Sequence, residues 1–115
     1  MSKHVKTLTD NESLPLCKVS RGTDMDAFEV TVFVYSGGGN GFNSGNVTIQ
    51  ASPDGGTTKV TLKDVAGSTV AISDDDVYNI RLGYAGKLGE EIELFATMQA
   101  AVGATNVEVV AFDNR

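Results

Sequence analysis

Apolar and polar residues alternate along much of this chain, most clearly where Phe28, Val30, Val32 and Val34 interleave with Glu29, Thr31, Phe33 and Tyr35. A period of two sends the two sets to opposite faces of a pleated strand. Val47, Ile49 and Ala51 alternate with Asn46, Thr48 and Gln50. Ser52-Pro53-Asp54-Gly55-Gly56 then supplies turn residues before Val60 and Leu62 resume the pattern, which predicts a hairpin. Shorter runs follow at Val70 to Ile72, at Tyr78, Ile80, Leu82 and Tyr84, at Ile92, Leu94, Ala96 and Met98, and at Val107, Val109 and Ala111. A weaker strand is expected near Leu14 to Val19. Glu90 to Ala101 is rich in good helix formers, but Glu91 and Glu93 alternate with Ile92 and Leu94, and Gly86, Gly89 and Gly103 bracket a strand-sized piece. Strand is the expectation there, with a short helical turn over Met98 to Val102 left open.

About eight short strands joined by glycine-rich turns predict an all-β fold, a single antiparallel β-sandwich of jelly-roll type over residues 14–115. Val30, Val32, Val34, Ile49, Val60, Ile80, Leu82, Leu94 and Val109 are its expected core. Residues 1–13 show little alternation and are expected to form an extended N-terminal arm that lies on a neighbour.

The length of 115 residues fits one domain, and 41% hydrophobic with 21% charged residues is an ordinary globular balance. No apolar run approaches the ~18 residues that a spanning helix needs, and the polar start has no secretory pattern, so neither a membrane partner nor general export is expected. A net charge of −6 repels phosphate backbones and disfavours nucleic acid as a partner. Cys17 is the only cysteine, which excludes an internal disulfide and a multi-cysteine zinc site.

Individual motifs carry little chemistry. Gly37 to Gly45 is glycine-rich, yet it leads into a strand and lacks the Lys-Ser/Thr pair of a phosphate-binding loop. It is read as a flexible connection that offers Phe42 to a partner. Asp74, Asp75 and Asp76, with Asp24 and Asp26, lack the spacing of a calcium loop and read as solvated turns. His4 falls in the expected arm, so Cys17 has no base beside it and reads as a small buried hydrophobe. Glu90, Glu91 and Glu93 look like the solvent face of a strand, and Tyr78, Arg81 and Tyr84 are weighed as an aromatic, basic platform for sugar or single-stranded nucleic acid against a packed sheet face. No enzyme, cofactor or metal site is expected.

Asn46 to Leu62, where Val47-Thr48-Ile49-Gln50 leads into Ser52-Pro53-Asp54-Gly55-Gly56-Thr57-Thr58, resembles a hairpin of small virion proteins of tailed bacteriophages, in which a "V-T-L-Q" strand is followed by "S-x-D-G-G-T-T". Val77-Tyr78-Asn79-Ile80-Arg81-Leu82 is similar to their "x-Y-x-I-R-L" strand. The likeness covers about Asn46 to Val110, with Lys59 where those proteins often carry Trp. It implies a non-enzymatic structural protein of the virion, assembled in the host cytoplasm: a head decoration or cement protein bound to the major capsid protein, or a neck, tail or fibre-attachment component. Lys3, Val5, Lys6 and Leu8 of the arm, together with Phe42, are the expected partner contacts. Self-association is also expected, with a trimer preferred because shells offer threefold positions. The alternative from another class is a carbohydrate-binding or adhesin-like module.

Overall fold

A computed structural model describes residues 2–20, 27–63, 66–83 and 91–113. Nine strands run in chain order: β1 (Ser2–Leu8), β2 (Ser13–Ser20), β3 (Ala27–Ser36), β4 (Asn46–Ser52), β5 (Val60–Thr61), β6 (Ala71–Ile72), β7 (Asp76–Gly83), β8 (Glu91–Gln99) and β9 (Val107–Asp113). No helix occurs among the described residues, and the question left open over Met98 to Val102 resolves as strand through Gln99.

The strands form two antiparallel sheets, β1-β9-β3-β7 (sheet A) and β2-β8-β4-β5, with β6 also on β4 (sheet B). Partners nest from the outside inward. Ser2 pairs with Asp113, Ser13 with Thr97, Ala27 with Gly83 and Gln50 with Thr61. The chain is thus one long antiparallel hairpin rolled so that β9 also meets β3 and β8 also meets β4. That is the strand order of an eight-stranded jelly roll. Its eighth strand is shared by β5 and β6, which take Gln50–Ala51 and Val47–Thr48 of β4 respectively.

The inward sets supplied by the alternation meet between the sheets. Val30, Val32, Val34, Ile49, Leu94 and Val109 are buried as expected, and so is Ile80. Burying an aliphatic side chain of this kind contributes about 1.5–3 kcal/mol. Val60 departs from expectation at 61% exposed, because β5 is only two residues long and, among the described residues, no strand flanks it on its outer side. The side chain of Leu82 lies outside the described residues.

The expected arm is corrected at β1. Residues 2–8 pair with β9 along their whole length, from Ser2↔Asp113 to Leu8↔Val107, and Leu8 is fully buried. The following turn is fixed as well, since Thr105 donates its hydroxyl to the Leu8 carbonyl (2.8 Å) and its amide to Thr9 (3.1 Å), and Met98 donates its amide to Glu12 (2.9 Å). Among the described residues, the sandwich therefore starts at residue 2. The inner set of β1 is His4, Lys6 and Leu8, only one of them apolar, so an edge strand held by backbone pairing had no hydrophobic period to show.

Candidate functional site

Three places could carry function in a jelly roll: its loop ends, the outer face of sheet B and the outer face of sheet A. The glycine-rich loop stands at one end, with residues 37–40 exposed and its base and second half tied to the 101–106 segment. Gly37 donates its amide to the Asn106 carbonyl (2.8 Å), Asn106 donates to Gly41 (2.8 Å), and Val102 donates to Asn43 (3.1 Å). The Asn43 side chain donates to Ala104 (2.8 Å), and Asn11 bonds Ala101 through both its amide groups. The amides of Gly41, Asn43 and Gly45 are spent on turns inside the loop, so none forms an anion cradle. Phe42 points inward and is 8% exposed, so its expected partner contact is corrected to a core plug that ties the loop down.

The acidic turn is also committed to backbone. Asp75 accepts from the Ser36 amide (2.9 Å), while Asp74 and Asp76 each accept from the following residue's amide (2.8 Å). Among the described residues no group of His, Cys, Asp or Glu side chains is arranged to hold a metal ion. Asp24, Asp26, Tyr84 and Glu90 lie outside the described residues, as do the side chains of Tyr78 and Arg81. Cys17 is buried in the core, where desolvation, with the nearby Asp113 and Glu93 carboxylates, pushes its thiol up to about 12. A thiol so held carries almost no thiolate at neutral pH.

The centre of the outer face of sheet B is covered by this chain itself, while Ser13, Pro15, Lys18, Glu91 and Gln99 around it are exposed. Its outward residues Thr48, Gln50 and Ser52 are buried although they are polar. The Gln50 amide donates to the Thr48 hydroxyl (2.6 Å), the Thr97 hydroxyl donates to Gln50 Oε1 (2.7 Å), and Ser13 joins through Thr97 (2.9 Å). The β4–β5 turn folds over this face, with Lys59 Nζ 4.3 Å from the centre of the Phe95 ring. Gly56, at φ 104°, lies so close beneath that ring that a Cβ would stand 2.9 Å from it. Phe95 is covered by this chain itself.

Sheet A is bare by contrast. Register across its four strands sets Val5 beside Val110, Val110 beside Phe33, and Phe33 beside Val77, one row from edge to edge. Val5, Phe33 and Val77 are 47%, 40% and 48% exposed, and between them they cover Val110. Phe112, in the adjacent row, meets Phe33 edge to face at 5.8 Å between ring centres. On the other side stands Tyr35, also exposed, whose hydroxyl donates to Glu108 (3.2 Å). Partial desolvation and the Glu108 carboxylate hold the Tyr35 phenol above its ordinary value. Lys3, Thr7, Glu108 and Asn79 ring this centre.

With strands ~4.8 Å apart and same-face residues ~6.8 Å apart, the six apolar positions Val5, Val110, Phe33, Val77, Phe112 and Tyr35 span roughly 200 Å² inside a polar rim. This apolar centre and polar rim are the anatomy of a protein interface.

Of the expected contact residues, Lys3 and Val5 lie on this face, and Lys6 is half-buried at its edge. Leu8, like Phe42, belongs to the core and is corrected. Sequence reasoning missed Phe33, Tyr35, Val77, Val110 and Phe112. The signal was present, because Phe33 and Tyr35 are large apolar residues on the solvent phase of the clearest strand. No protein-family model, curated protein or solved structure matches the chain.

Proposed function

We propose that this chain is a structural protein of a tailed-bacteriophage-type virion, a head decoration or cement protein that seats the outer face of sheet A on the assembled shell. The observation that carries the reading is the row Val5, Val110, Phe33 and Val77 across one face of a jelly roll whose other face has its aromatic residue, Phe95, covered by its own turn. Jelly rolls recur among capsid proteins, but a fold hosts many functions, so the weight rests on the face. The resemblance of the β4–β5 hairpin to small phage virion proteins supports the same direction. Stabilisation follows from mass action: a protein that binds the assembled lattice more tightly than its free subunits favours the lattice by that difference.

A neck, tail or fibre-attachment position would use the same face against a different virion protein. A sugar-binding module fits less well. Such a site needs free hydrogen-bonding groups beside its ring, whereas next to Phe33 the Thr31 hydroxyl is bonded to Asn79 (2.7 Å) and Tyr35 to Glu108.

Cosedimentation of the purified chain with particles lacking it tests the reading. Binding should fall at least tenfold in a Phe33→Ser, Val77→Ser variant whose unfolding midpoint matches the parent. Glycan-array binding without particle binding, or full particle binding by the variant, would overturn it.

A further inference from the structure

We propose that copies of this chain join edge to edge, β7 of one against β1 of the next, so that sheet A continues across the assembly. This does not rest on the virion reading, because the edges belong to the free protein.

Among the described residues the two sheets present unequal edges. In sheet B, β2 is broken by Pro15, which has no N–H, and by a register shift between Pro15 and Cys17. The opposite edge is β5 and β6, of two residues each. Those are edges that resist a further strand. In sheet A, β1 and β7 run seven and eight residues with no register shift against their partners.

Direction and phase both fit. Every neighbour in sheet A is antiparallel, so β1 and β7 run in opposite directions, and a β1 laid beside β7 continues the alternation. In an antiparallel sheet, the pairs along a row alternate between hydrogen-bonded and non-hydrogen-bonded types. With four strands, an even number, Val77 and Val5 of the next copy are in matching phase, and the Val77 amide, held in a single copy by the Asp76 carboxylate (2.8 Å), exchanges that bond for the Val5 carbonyl on joining. That register carries the apolar row unbroken from one copy into the next.

The same register fixes the charges. Counting from Val77 opposite Val5, Asp76 falls opposite Lys6, Asp75 opposite Thr7 and Asn79 opposite Lys3. Within one copy Lys6, Val109, Val34 and Asp76 already form a single row, with a cation at one edge and a carboxylate at the other. Neither charge has an ion-pair partner among the described residues. Inward-facing charges on edge strands exclude partner strands that cannot neutralise them. Lys6 therefore opposes a second β1, with its own Lys3 and Lys6, and the Asp74–Asp76 turn opposes a second β7. The pairing that neutralises both is β7 to β1, a head-to-tail contact that closes into a ring or runs on as a filament.

Sedimentation across a range of concentrations, without any particle, tests this. The parent should associate, and Lys6→Glu or Asp76→Lys alone should weaken association at least tenfold by setting like charges opposite each other. Mixing the two variants should restore it, since each then supplies the edge the other lacks. Should a charge reversal disturb folding, cysteines at the exposed positions 5 and 77 give a second readout. The Val5→Cys, Val77→Cys chain should oxidise to a covalent ladder or ring, while each single variant stays uncrosslinked. A monomeric parent at every concentration, association unchanged in the charge variants, no recovery on mixing, or covalent dimers from Val5→Cys alone would each overturn the proposal.

Discussion

Truncating Leu8 to Ala asks whether residues 2–8 are part of the fold or an appendage. Leu8 is fully buried, lies opposite Val107 and packs into the same core as Val109, Val34 and Leu16. Losing the buried methyl-bearing atoms forfeits about 2 kcal/mol of transfer free energy, and the cavity left behind adds on the order of 1 kcal/mol. β1 is an edge strand and can relax inward, so the expected loss is about 3 kcal/mol, against a total stability on the order of 6–17 kcal/mol for a domain of this length. In heat unfolding that corresponds to a fall in midpoint of about 12 °C. Val5→Ala is the control on the same strand. Its side chain is 47% exposed, so it should cost below about 1 kcal/mol. With no Trp in the chain, far-ultraviolet circular dichroism in urea is the suitable probe, and the slope should match the parent's. A Leu8→Ala loss below about 0.5 kcal/mol, or a Val5→Ala loss equal to it, would refute the placement of β1.

Three further outcomes follow from other parts of the molecule. Gly45→Ala should destabilise by about 1–3 kcal/mol in the same assay, because its Cβ would stand 2.8 Å from Met98 Sδ and 3.0 Å from the Ala101 nitrogen; an unchanged midpoint would show that this end is loosely packed. Cys17, buried and raised to about 12, should resist alkylation near pH 8 while the chain is folded and react at once in concentrated urea, and rapid native modification would contradict its burial. Asp54 is held below the ordinary aspartate value first by the Thr58 amide, then by the Thr58 and Ser52 hydroxyls. Its contribution to the turn is therefore present above the unfolded value of about 3.9 and lost as pH falls through the lower folded one. The Thr58 amide resonance should report that titration, and a midpoint at or above the ordinary value would contradict the hydrogen bonds.

The architecture was legible wherever a strand has one wet face and one dry face. In β3, Val30, Val32 and Val34 marked the core directly, and the Asp54-Gly55-Gly56 turn marked the hairpin. β1 was hidden because its order comes from backbone bonds to β9, which leave no side-chain signature, and because Lys6 and His4 occupy the inner phase. The glycine-rich loop was misread for a related reason. Its ties are bonds to Asn106, Ala104 and Val102, some sixty residues further along the chain, and no local pattern reports them. The candidate face was visible only in part, since Phe33 and Tyr35 announced an apolar outer surface, but their alignment with Val5 and Val77 is a matter of register between strands distant in sequence.

Imaging of purified particles that carry this chain, at a resolution that separates the two sheets, tests the central claim most directly. The account predicts sandwiches at symmetry-related positions on the virion, with Val5, Phe33 and Val77 of sheet A buried against the underlying protein and the Lys59 and Phe95 face of sheet B toward solvent. Particles in which sheet B makes the contact, or from which the chain is absent while it is abundant in the soluble fraction, would contradict it.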